Sequence, residues 1–146
     1  MTSGGLVLAG DTKAVLLADA LMFAVALSLG VLKYRQMLSS GEGVAHPYVD
    51  TAHRAALLYS FALLLVASFV QLGGFSELVN LLAAGAMTLY FFMSVFNYTL
   101  HGCRRDSDNL IRDRVAGLKP YMLTLIIAEI GGWLVLVAGF LDKQIF

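Results

Sequence analysis

Four stretches of the chain are almost wholly apolar, and charged and turn-forming residues concentrate in the runs between them. A helix needs roughly 20 apolar residues to cross about 30 Å of hydrocarbon. The stretches at about 14–35, 50–72, 77–101 and 119–141 all reach that length. The pattern predicts an all-α fold, a four-transmembrane-helix bundle forming a single domain over residues 1–146. Polar residues within the third stretch are not scattered. Tyr90, Ser94, Asn97, Tyr98 and His101 recur at i, i+4, i+7, i+8 and i+11, which is one face of a helix. Unpaired polar atoms cost several kcal/mol in lipid, so this face is expected to meet protein or a cavity.

Composition sharpens the picture. The 146 residues are 59% hydrophobic and only 14% charged, which leaves no separate soluble domain. The formal net charge is zero, so membrane lipids and not nucleic acid are the expected surroundings. "MTSGGLVLAGDTK" lacks the basic start of a secretory signal, and the first helix is expected to be retained. Lys33, Arg35, Arg54, Arg104, Arg105, Arg112, Arg114 and Lys119 fall at one end of the helices, and only Lys13 and Lys143 at the other. The positive-inside rule then makes loops 36–49 and 102–118 cytoplasmic and puts both termini outside, in what is expected to be a bacterial inner membrane.

Several residues carry candidate chemistry. His46, His53 and His101 all lie near the cytoplasmic helix ends. His46 and His53 are seven apart, or about 10 Å along a helix, so they cannot share one small ion. His46, ahead of Pro47, reads as a helix-start residue. Asp50 is placed to pair with His53 one turn on, or with Arg54 at i+4. Asp19 and Glu129 lie within apolar helices, where an ionisable group is functional by default. Gly131 and Gly132 beside Glu129 suggest close packing, at a subunit contact. Cys103 is the only cysteine, which excludes an intrachain disulfide. Two helices open alike, with His46-Pro47-Tyr48 and Lys119-Pro120-Tyr121.

Ala52-His53 opening the second helix, Gly74-Phe75 in the tight turn and Tyr98 in the third helix stand at a spacing that resembles a known family. The chain resembles styrene oxide isomerases, small four-helix membrane enzymes that bind haem b and convert aryl epoxides to aldehydes. The likeness covers roughly residues 52–98. It implies a homotrimer, His53 as the axial ligand of the haem iron, and Tyr98 lining the pocket of a small lipophilic substrate. Two departures are visible. Tyr59 stands where the family has an asparagine, and Phe91-Phe92-Met93-Ser94 replaces its Gly-Trp-Ser-Asn run. On this reading ferric iron acts as a Lewis acid toward the epoxide oxygen. Tyr98, Tyr59 and Asn97 are then the candidate catalytic groups, and Phe91 and Phe92 favour a developing carbocation.

The residues leave other classes open. His53 and His101 at one membrane level suit a bis-histidine electron-transfer cytochrome b. "AHR" at Ala52-His53-Arg54 is similar to the opening of the second helix in membrane-associated eicosanoid and glutathione transferases. Asp19 or Glu129 suits a transporter's coupling site.

Overall fold

The computed structural model describes residues 7–146 and is all-helical over that range. α1 spans Gly10–Ser39, α2 Pro47–Leu72, α3 Glu77–Arg104 and α4 Leu118–Gln144. All four are long and apolar enough to cross a membrane. This is the four-helix membrane bundle that the apolar pattern predicts. Each helix runs past its apolar stretch, because the helix continues into polar surroundings where hydropathy no longer marks it. α1 begins four residues before the predicted 14 and ends four after 35. Asp11 in its first turn is an acidic residue suited to the positive end of the helix dipole.

The ends are set locally. His46 caps α2, its Nδ1 accepting the Tyr48 N–H at 3.2 Å ahead of Pro47 at the first helical position. Ser76 caps α3 by accepting the Val79 N–H at 3.4 Å. The 105–117 connection is bracketed by left-handed backbone, with Arg105 at φ 55°, Arg114 at φ 50° and Gly117 at φ 81°.

α2 and α3 form the central pair. α1 packs mainly on α2, α4 packs on α3 and α2, and α1 and α4 do not touch each other. The core runs through Met22, Ala26, Ala52, Ala56, Leu63, Val66, Ala84, Val95 and Leu136, all nearly inaccessible. The small residues allow backbones to approach closely, as expected where lipid removes the hydrophobic drive between helices. Gly102 meets neighbouring backbone closely: a Cβ there would lie 2.7 Å from the Val49 backbone nitrogen. At Gly132 it would lie 2.7 Å from the Ala83 carbonyl oxygen. Gly132 therefore packs α4 on α3 inside one chain. A side chain at Gly131 would meet open space.

The end carrying the tight 73–76 turn is closed by hydrogen bonds. Lys143 Nζ donates to the Gly73 carbonyl at 3.1 Å and the Gly74 N–H donates to the Gly139 carbonyl at 2.9 Å. Asn80 Nδ2 donates to the buried Asp11 carboxylate at 3.0 Å, tying α1 to α3.

Candidate functional site

The polar face of α3 points where its spacing predicts. Ser94, Asn97, Tyr98 and His101 line a cavity of about 550 Å³ at the long-loop end of the bundle. α2 contributes Tyr48, Thr51 and Tyr59, and α4 contributes Tyr121, Met122 and Leu125. The 105–117 connection closes it from above through Leu110, Ile111 and Val115. A cavity of this size suits a small organic ligand.

Aromatic rings dominate its surroundings. Tyr59 stacks on the buried Phe91, with centroids 4.3 Å apart and planes at 6°. Tyr98 stacks on Tyr48 at 5.6 Å and 10°. Ser94 Oγ and the Tyr121 hydroxyl are hydrogen-bonded at 3.0 Å, and the fifth residue of the polar stripe, Tyr90, leans on Tyr121 at 5.9 Å. The loop above is anchored by the Leu110 N–H, which donates to the Tyr48 hydroxyl at 2.8 Å.

His101 is the cavity's one histidine. Its Nδ1 donates to Asp106 Oδ1 at 2.7 Å, because a carboxylate can only accept. That hydrogen bond holds the Asp106 carboxyl below its ordinary range, although the carboxyl is exposed. The pair is an imidazole oriented by a carboxylate.

His53 stands elsewhere. It lies against α1, with its Nδ1 2.9 Å from the Ala26 carbonyl oxygen. A carbonyl only accepts, so Nδ1 carries the proton and Nε2 of the neutral ring keeps a lone pair. Of the two partners the sequence offers Asp50, His53 and Arg54, it takes Arg54 at 3.0 Å, and it adds Lys33 of α1 at 2.5 Å. Two cations offer a carboxylate more than one neutral imidazole does.

The structure therefore brings Tyr59, Asn97, Tyr98 and His101 together and leaves His53 out of the cavity. His53 contacts Ala26 and Gly30, whereas His101 contacts Asp106 and Tyr48. The His53 ring thus has one nitrogen engaged with α1 and the other without a hydrogen-bond partner among the described residues. Tyr98, Tyr59 and Asn97 of the same chain do not share its cavity. Glu129 is half-buried on α4 between Leu125, which lines the cavity, and Gly132, which packs on α3. Its Oε1 is buried and has no hydrogen-bond partner among the described residues. Asp19 is half-buried on α1, away from this cavity.

Sequence reasoning passes over Tyr48 and Tyr121 as site residues. The signal was present in the two Pro-Tyr helix openings. In each, the tyrosine next to the proline turns inward and reaches the cavity. No protein family, characterised protein or solved structure matches this chain.

Proposed function

We propose that the protein is a membrane-embedded isomerase that opens a small lipophilic epoxide to a carbonyl compound, with haem b held by His53. The observation that carries the haem half of this reading is the 2.9 Å bond from His53 Nδ1 to the Ala26 carbonyl. It fixes the ring, prevents tautomer exchange and leaves Nε2 as the free base, the arrangement common to metal-bound imidazoles. A haem iron with one imidazole ligand supplies an open coordination position of Lewis-acid character.

The chain's own residues account for substrate binding. The 550 Å³ cavity is lined by Tyr48, Tyr59, Tyr98 and Tyr121, aromatic side chains that suit a flat apolar ring and positive charge developing beside it. Tyr98, Tyr59 and Asn97 offer hydrogen bonds to an ether oxygen. Apolar epoxides partition into bilayers, which accounts for a cavity among membrane helices. His53 and this cavity lie apart on one chain, and the half-buried His53 leaves the α1–α2 surface open to a second copy. A homotrimer belongs to the same proposal, as does an orientation with the 40–46 and 105–117 connections in the cytoplasm.

One observation favours a second reading without haem. His101, backed by Asp106, lines the cavity together with Tyr98 and Tyr121. An oriented imidazole beside phenols is a general acid–base arrangement, suited to protonating the same ether oxygen.

The absorption spectrum of protein purified after expression with haem supplied separates the two. A Soret band lost in His53→Ala and kept in His101→Ala supports the haem reading. Absence of any Soret band, with epoxide turnover lost in His101→Ala, sinks it in favour of the acid–base reading. Loss of haem in both variants would instead point to the bis-histidine cytochrome.

A further inference from the structure

We propose that the outer face of α4 at the long-loop end is a binding site for an anionic phospholipid. An open groove of about 930 Å³ runs along this face. Its floor is apolar, formed by Met122, Leu123 and Ile126, all more than 40% exposed. Its rim carries two cations, Arg114 and Lys119.

The charge arrangement identifies the occupant. The carboxylates of the neighbouring connection are already engaged: Asp106 by His101, Asp108 by Arg112, and Asp113 by Arg112 and Ser107. Neither Arg114 nor Lys119 has an acidic partner among the described residues. Two unneutralised cations above an apolar trough, at the end of a membrane-spanning helix, match an amphiphile with an anionic head and an acyl chain. Arginine binds the phosphate oxygens in a planar fork and lysine adds a point charge. The chain then lies on Met122, Leu123 and Ile126 in the direction of the helix axis.

The site bears on the cavity. Ile111, Val115, Gly117, Leu118 and Met122 line the groove and the inner cavity alike. A lipid seated in the groove packs against the outside of the wall whose inside faces a bound ligand.

The test is native mass spectrometry of the full chain released from neutral detergent. Phosphatidylglycerol and phosphatidylcholine of identical acyl chains are added in turn. Each cation near the headgroup is expected to contribute about fivefold, so phosphatidylglycerol adducts should exceed phosphatidylcholine adducts by tenfold or more. Arg114→Gln with Lys119→Gln should remove that preference, whereas Arg104→Gln with Arg105→Gln, an equal change in net charge, should keep it. Ile126→Trp, which fills the trough and leaves both cations, should lower retention of phosphatidylglycerol. Equal retention of the two lipids by the unaltered chain overturns the proposal. So does a preference that survives the Arg114 and Lys119 changes. A face covered by a second copy would give no lipid adduct and a loss of oligomer in Ile126→Trp, which also overturns it.

Discussion

His53 of α2 donates its Nδ1 proton to the main-chain carbonyl of Ala26 in α1, 2.9 Å away and 27 residues earlier in the chain. The bond depends on a gap in α1. One turn after Ala26 stands Gly30, where a Cβ would lie 3.1 Å from His53 Cε1. A Cβ there would crowd the imidazole, and a branched side chain would reach into the space the ring occupies.

A branched side chain at position 30 should therefore displace the ring while leaving the histidine in the chain. Under the proposed haem ligation by His53, Gly30→Val is expected to lower haem retained per protein several-fold, read from the Soret absorbance of folded material. Gly85 has open space where its side chain would be, so under the same proposal Gly85→Val should leave the Soret absorbance unchanged. Wild-type haem content in folded Gly30→Val would show that His53 does not hold the iron.

Tyr48 serves the cavity twice, through the ring that stacks on Tyr98 and the hydroxyl that accepts the Leu110 N–H. Tyr48→Phe keeps the first and removes the second. A single such hydrogen bond is worth about 1 kcal/mol, or roughly a fivefold shift toward an open loop. Limited trypsin digestion at Arg112 and Arg114 should quicken by about that factor, with the helical content unchanged. Equal digestion rates would mean that the loop is held by its own internal network instead.

The four helices were legible because lipid imposes a single rule on every residue of a span, and hydropathy reads that rule directly. The polar face of α3 was legible for a related reason: Ser94, Asn97, Tyr98 and His101 had to meet something polar, and a 3.6-residue period put them together. The direction in which His53 points was not. It depends on how α2 rotates against α1, which is set by Ala26, Ala52, Ala56 and Gly30 fitting together across the contact. No local pattern encodes that rotation. For Asp50 the i+4 pairing with Arg54 was legible within its own helix, whereas its second partner, Lys33, was not, because it comes from another helix. Gly132 shows the opposite limit: small residues announce close packing, but α3 of the same chain fills the contact read as a subunit interface.

Acid should loosen the 105–117 connection selectively. The hydrogen bond from His101 lowers Asp106, and Ser107 followed by Arg112 lowers Asp113, both from an ordinary value of 3.8. A carboxylate lowered in the folded loop binds protons more weakly there than in the opened loop. Its stabilisation is whole above 3.8 and is lost as pH falls through the lowered folded values. Hydrogen exchange corrected for its intrinsic pH dependence should show residues 105–117 losing protection in that window while the helix centres keep theirs. Protection that stays level down to pH about 2 would mean these carboxylates do not hold the loop.

At the opposite end, Asp11 and Asn80 are 3% and 4% exposed, and the Asn80 amide is the side-chain donor that α3 supplies to the Asp11 carboxylate. The rest of the carboxylate's shell is local, with the Thr12 N–H donating to Oδ1 at 2.7 Å. Removing the donor leaves a buried carboxylate oxygen without its hydrogen bond, at a cost of about 1–3 kcal/mol. Asn80→Ala should destabilise the bundle by that much, measured as reversible unfolding in mixed micelles of increasing dodecyl sulfate. Asp11→Asn in the same background should recover part of the loss, because a neutral amide tolerates burial better than a carboxylate with one oxygen left without a donor. The exchange of both residues, Asp11→Asn with Asn80→Asp, keeps one amide donor facing one carboxylate and should approach the unaltered stability. If Asn80→Ala costs nothing, α1 is held by its packing on α2 and α3 and by the Asp11 N–H donating to Glu77 Oε1, and the Asn80 bond is a consequence of the fold and not one of its supports.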